Sequence, residues 1–197
     1  FKNITQTIGA GVRIRHNESK ALIYSYGLSI QQTSLQSEQT FPIAADIPQT
    51  FYALVPKLFV RWKPSKFKRF FAFYRVRPNI PSVLQLQEVL NNSNPLSLYK
   101  GNANLNQQNN HFMVSRFSNI KPFKGKSFFA FALLNASNNY IGNKVTLNNG
   151  SGTNSSIEIP RGGQLTEPTN LKGYFSSVVS INKGLKLKKI KSNLNTS

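Results

Sequence analysis

Few residues in this chain could carry acid–base or metal chemistry, and their spacing does not let them work together. The 197 residues include two histidines, His16 and His111, six Asp and Glu, and no cysteine. Without cysteine there is no thiolate nucleophile, no disulfide framework and no Cys-ligated zinc. His16 stands in a turn beside Glu18 and His111 opens a strand, so each reads as a solvated or strand-end histidine rather than a ligand or base. The only aspartate, Asp46, lies in a long loop, and no set of nucleophile, base and orienting acid assembles around it. The glycine-rich 150-GSGTNSS-156 and 161-RGG-163 lack the Lys-Ser/Thr ending of a phosphate loop and read as flexible loop. Triplets of the type Asn-x-Ser/Thr, as at Asn3 and Asn149, arise readily in so Asn-rich a chain. No residue reads as catalytic, no cofactor or metal is implied, and the chain is not expected to be an enzyme.

What the composition does offer is charge. Lys and Arg number 25 against 6 Asp and Glu, a formal net charge of +19. Such an excess points to a phosphate-bearing or otherwise anionic partner. Which partner depends on the elements that hold the cations.

Those elements are strands. Residues 6 to 15 put Ile8, Ala10, Val12 and Ile14 on one side and Gly9, Gly11, Arg13 and Arg15 on the other. The run 20 to 34 sets Leu22, Tyr24, Tyr26, Leu28 and Ile30 against Ala21, Ser25, Gly27, Ser29 and Gln31. From 50 to 62, Tyr52, Leu54, Leu58, Val60 and Trp62 oppose Lys57 and Arg61, with Pro56 expected to interrupt the ladder. Residues 69 to 77, 110 to 119, 126 to 136 and 171 to 182, with a last segment from Leu185, bring the expectation to about eight strands and an all-β fold. No stretch approaches the apolar length of a spanning helix.

The connections alternate in length. Short turns are expected at His16 to Ser19, Lys63 to Lys68, Lys121 to Gly125 and Asn182 to Gly184, and long Asn/Ser/Gln-rich connections near 35 to 48, 78 to 108 and 137 to 169. In an antiparallel up-and-down meander this puts every short turn on one rim and every long loop on the other, as in outer-membrane barrels. Most of the cations, 16 of 25, gather in or beside the short turns: Arg13, Arg15 and Lys20, then Arg61, Lys63, Lys66, Lys68 and Arg69, then Lys121, Lys124 and Lys126, then Lys183, Lys186, Lys188, Lys189 and Lys191. A basic ring on one rim could meet phosphate headgroups at a membrane face. Tyr52, Trp62 and Tyr174 near strand ends suit the same setting. A soluble β-sandwich would show the same alternation. The charge also has a nucleic-acid reading, carried by 63-KPSKFKRFF-71 and 186-KLKKIK-191. The spread of cations over four turns and the lack of a recognised nucleic-acid module argue against it.

The connection from 78 to 108 carries fixed turn chemistry and is expected to be an ordered rim or lid. Here the chain resembles the outer-membrane β-barrel family of Bacteroidetes, the barrel portion of TonB-dependent receptor-like proteins. The resemblance rests on 74-YRVRPNIPSVLQLQ-87 with Pro81, Gln85 and Leu86, on Asn92, Ser93, Asn94, Pro95 and Leu96, and on Gly101, Asn102 and Leu105. Ala103 stands where the family usually has proline. The flanking 51-FYALVPKLFVRWKPSKFKRFFAFYR-75 and 164-QLTEPTNLKGYFSSVVSINKGL-185 look like the family's neighbouring strands, so the resemblance covers nearly the whole chain.

The resemblance implies that residues 1–197 are a partial barrel domain, roughly a third of an assembly of about 22 strands. A start at Phe1 rather than Met and a final segment without a closing aromatic fit a truncated piece. The implied location is the cell outer membrane, and the implied role is uptake or binding of an unidentified solute. The implied partners are outer-membrane lipid and lipopolysaccharide, with a TonB-type energy-coupling protein engaged through parts outside this chain and no nucleic acid. The lipid-facing side would be Ile8, Val12, Leu22, Tyr24, Leu28, Leu54, Leu58 and Val60, and the lumen side Arg13, Ser25, Lys57 and Arg61. Two other readings stay open: a non-transporting outer-membrane scaffold or adhesion barrel, and a soluble basic β protein that binds nucleic acid.

Overall fold

Alternating β-branched, aromatic and small residues favour extended backbone over helix along most of the chain. A computed structural model describes residues 2–16, 21–36, 38–39, 45–46, 48–150, 157–187 and 192–196. In chain order they form β1 (Lys2–His16), β2 (Ala21–Gln36), the short pair β3 (Glu38–Gln39) and β4 (Ala45–Asp46), β5 (Gln49–Ser65) and β6 (Lys68–Asn79). Next come helix α1 (Val83–Leu86), β7 (Leu90–Asn91), β8 (Ser97–Lys100), β9 (Gln108–Lys121), β10 (Lys126–Leu147), β11 (Gln164–Leu187) and β12 (Ser192–Thr196).

One ten-stranded sheet dominates, in the order β1-β2-β5-β6-β9-β10-β11-β8-β7, with β12 also on β11. The long strands β1, β2, β5, β6, β9, β10 and β11 pair antiparallel in chain order, with the β3–β4 hairpin set aside in the β2–β5 connection and β7 and β8 in the β6–β9 connection. The expected meander is present, and the short and long connections alternate between its two ends. The sheet is open: among the described residues β1 pairs with β2 alone.

Several expectations are corrected. Asn182 to Gly184 is not a turn, because Asn182 pairs with Phe129 and Gly184 with Ser127, carrying β11 on to Leu187. Residues 185–187 therefore belong to β11, and the last strand is β12. The polar stretch 137–169 is largely strand, since Leu147 pairs with Gln164 at the far end of the β10–β11 ladder. Pro56 does not break β5. It pairs with Leu28 on β2, one residue beyond the last β5–β6 pair, Lys57 with Arg75, where no β6 residue needs its missing N–H. Nor is the sheet wholly antiparallel, because β8 lies parallel to β11, with Ser97 opposite Gln164. The turns expected at 17–19 and the basic run 188–191 lie outside the described residues.

Most buried side chains gather at the long-loop end, Ile23 on β2, between Arg15 and Arg61, being an exception at the other. Leu35 and Phe51 pack with Leu86 and Leu105 of the 80–107 connection, joined by Ile80, Val83 and Ile141. Leu98, Ile159 and Leu165 form a second cluster beside β8. The chain exposes 13779 Å², whereas a globular monomer of its 22.1 kDa would expose about 9,300 Å². The surplus is what a single-layered sheet leaves uncovered.

Candidate functional site

Register assigns the side chains to two unlike faces. Ile8 opposes Ile30, which opposes Leu54, and Val12, Tyr26 and Leu58 form a second apolar row. Leu58 leads on through Tyr74 and Met113 to Leu134. Between the two rims no Lys, Arg, Asp or Glu occupies this face, from Ile4 to Ile14 on β1 through to Phe175 to Ile181 on β11. Its large side chains stand in the open, with Ile8 78%, Phe175 67% and Val179 64% exposed. The eight residues expected to face lipid all lie here. Tyr52 and Trp62 bound the apolar stretch of β5 at its two ends. Tyr174 does not join them, because its pairing with Ser137 puts it on the opposite face. His111 is on the apolar face, its Nδ1 2.8 Å from the Tyr74 hydroxyl and its Nε2 3.2 Å from the Asn138 amide nitrogen.

The other face carries the charge. One register row reads Arg15, Ile23, Arg61, Phe71, Arg116, Phe131 and Ser180 across seven adjacent strands. Arginine thus appears on the alternate strands β1, β5 and β9 with an apolar residue between, which avoids the like-charge contact that directly opposed cations make. The row above begins Arg13, Ser25, Phe59, Phe73, Val114. The next row breaks the rule, since Lys57 directly opposes Arg75. Arg75 lies over two rings, 5.8 Å from the centre of Phe73 and 5.6 Å from that of Phe112, and Arg13 lies 6.0 Å from Phe59. Guanidinium groups over aromatic faces keep their charge while covering apolar surface. A groove of about 580 Å³ opens on this face between Arg61 and Arg116.

The basic rim gathers at the short-turn end. Lys63, Lys66, Lys68 and Arg69 flank the β5–β6 turn, and Lys121, Lys124 and Lys126 flank the β9–β10 turn, where Lys121 pairs with Lys126. Lys183 and Lys186 join them from the end of β11 rather than from a turn, with the Lys186 amide donating to the Gly125 carbonyl at 2.8 Å. Gly125 takes the left-handed conformation, φ 56°, that closes the tight β9–β10 turn. Among these lysines two aromatic rings meet edge to face: Phe67 and Phe123, with centres 6.5 Å apart. Phe123 is 92% exposed.

At the opposite end the connection between β6 and β9 builds an ordered strap. Ser82 caps α1, its hydroxyl accepting from the Gln85 amide while the Gln85 side chain accepts from the Ser82 amide. Pro81 and Leu86 are fully buried and Leu105 is nearly so. Asn92 and Ser93 are exposed, with the Ser93 amide bonded to the Asn91 side chain. Asn94 closes the Pro95–Leu96 turn, its side chain accepting from Leu96 and its carbonyl from Ser97. At Gly101 an added Cβ would lie 2.1 Å from the Gln87 carbonyl oxygen, so only glycine fits. Asn102 ties the strap across the sheet: its amide donates to Gln85 at 2.7 Å and its side chain to the Pro168 carbonyl at 3.2 Å. On the β5 side Gln49 donates to the Ala103 carbonyl at 2.6 Å, and Gln107 donates to the Tyr52 carbonyl. The strap therefore lies over the upper part of the cationic face.

Two features escaped the sequence reading. Arg75 and Arg116 joined the cationic face only through register, and Phe67 and Phe123 meet only because two turns lie side by side. Alternation within 69–77 held a signal for Arg75; nothing local marked the pair of rings. No protein-family model matches the chain, and no curated protein matches it in sequence.

Proposed function

We propose that this chain is part of an outer-membrane β-barrel of the TonB-dependent receptor-like kind, serving the uptake or binding of a solute at the outer membrane. One observation carries the reading: a sheet face without a single charge between its rims stands uncovered, while the reverse face of the same strands holds the arginines. In water that asymmetry is inverted, since a soluble sandwich covers its apolar face with a second layer. In lipid it is required, because an Arg or Lys at mid-membrane on the outer face costs about 2–4 kcal/mol.

Dimensions agree. Tyr52 and Trp62 are ten residues apart on β5, about 33 Å along the strand. At the usual tilt this projects to about 25 Å, the height of an apolar band between aromatic girdles. The basic rim with Phe67 and Phe123 suits one headgroup layer, where aromatic rings and lysines anchor together. An open edge at β1 is untenable in hydrocarbon, so the reading calls for further strands to close the barrel.

The test is fractionation of cells making the full-length protein. Recovery in carbonate-washed outer membranes, with migration in gels that changes on heating, is the expected result. Recovery in the aqueous fraction without detergent would overturn it. Reading the coding sequence on both sides then separates transporter from scaffold, since a plug and a TonB-contacting segment belong only to the first.

A further inference from the structure

We propose that the groove between Arg61 and Arg116 is a binding site for an organic anion, an oxyanion head on an apolar body. This deepens the barrel reading and rests on it, since that reading makes the cationic face the lumen side.

Three observations lead there. Arg61 and Arg116 face the same side of the sheet with Phe71 on the strand between, so their backbones are two strand spacings apart, about 9.6 Å. An oxyanion seated above Phe71 lies between two forked donors, the geometry in which guanidinium groups bind carboxylate or phosphate bidentately. Second, among the described residues no carboxylate lines the groove. Glu88 and Glu167 belong to the strap end, where they line a separate hollow with Lys100 and Lys144, and Glu158 lies in the connection before β11. Third, the groove is walled by rings as well as charges, with Phe71, Phe129 and Phe131 lining it beside Arg61, Arg69 and Arg116. A lumen that only needed wetting would pair its charges with Ser, Asn or Gly, as Ser25 opposite Arg13 and Gly27 opposite Lys57 do on β2. Charge and ring in alternation match a ligand that has both.

The volume, about 580 Å³, suits a small molecule. A lipid headgroup does not fit the position, because the acyl chains would meet the other face of the sheet. The ligand is thus a free solute passing or held on the lumen side.

The test uses the full-length protein in non-ionic detergent and three probes in titration calorimetry: 1-naphthyl phosphate, neutral 1-naphthol, and inorganic phosphate. The expected result is saturable binding of 1-naphthyl phosphate at least tenfold tighter than either of the others. The double variant R61Q/R116Q is expected to weaken it at least tenfold. Equal binding of 1-naphthol and 1-naphthyl phosphate overturns the proposal, as does unchanged affinity in a variant that keeps its heat-dependent migration. If that variant does not fold, the comparison of probes on the native protein decides alone. Detergent phase separation on the same sample keeps the two readings apart. A protein that stays in the aqueous phase but discriminates the probes keeps the anion site and loses the barrel; one that enters the detergent phase without discriminating loses the site alone.

Discussion

Leu54 and Ser25 sit on strands paired to one another yet point to opposite faces: Leu54 opposes Ile30 on the apolar side, and Ser25 opposes Phe59 and Arg13 on the cationic side. On the barrel reading, a charge introduced at each position meets a different medium.

Leu54→Lys is expected to impair assembly by about 2–4 kcal/mol, the cost of a lysine in hydrocarbon. Ser25→Lys faces only repulsion from Arg13 across the strands, about 0.2–1 kcal/mol. Insertion yield into vesicles, read by the heat-dependent gel shift, compares the two, and equal tolerance would sink the assignment of faces.

The rim lysines are expected to act through charge alone. Removing three of them, K121Q/K124Q/K126Q, takes away about 1 kcal/mol each of attraction to an anionic surface. Binding to anionic vesicles at low salt should fall roughly a hundredfold, and the difference should shrink at high salt as screening grows. Salt-independent binding in both proteins would show that the rim does not meet the headgroups.

Phe123→Ser separates anchoring from stability. The ring is almost wholly exposed, so the change is expected to alter stability by no more than about 0.5 kcal/mol in urea. Vesicle affinity is expected to drop all the same, because the ring loses its place at the interface. A drop in stability with affinity unchanged would contradict the role given to the ring.

Gly101→Ala forces a Cβ against the Gln87 and Leu84 carbonyl oxygens. The expected outcome is faster proteolysis within 80–107 with the sheet intact, whereas Ser93→Ala in the same strap leaves the rate unchanged. Leu86→Ala empties the buried core of the strap and should loosen it by about 2–5 kcal/mol. Faster amide exchange at Asn102 and Leu105 measures that loosening, and native-like protection in L86A would mean the strap is held by its polar ties instead.

Strand identity was legible where period-two alternation was strong, as from Ile8 to Arg15 and from Leu22 to Gln31. It was not legible at 137–147, where Asn, Ser and Gly carry no apolar rhythm and the strand exists because β11 pairs along its whole length. Asn182 and Gly184 are good turn residues, but cross-strand pairing with Phe129 and Ser127 outweighs that preference. The motif residues of the strap could be read as turn formers, since Asn94, Pro95, Gly101 and Asn102 act through local chemistry. That the strap lies on the cationic face could not, because it depends on contacts with β2, β5, β10 and β11. The arginine row was hidden for the same reason: it exists only once six ladders have fixed their registers.

The parallel pairing of β8 with β11 bears on the order of folding. Ser97 meets Gln164 only after β9, β10 and the connection between β10 and β11 have been laid down, whereas the β7–β8 and β9–β10 hairpins close through short turns. Closing such a long loop carries the larger entropic cost and comes late. The strap is therefore expected to dock last, with the sheet passing through a stage in which its cationic face is uncovered at the Leu35 and Phe51 end as well.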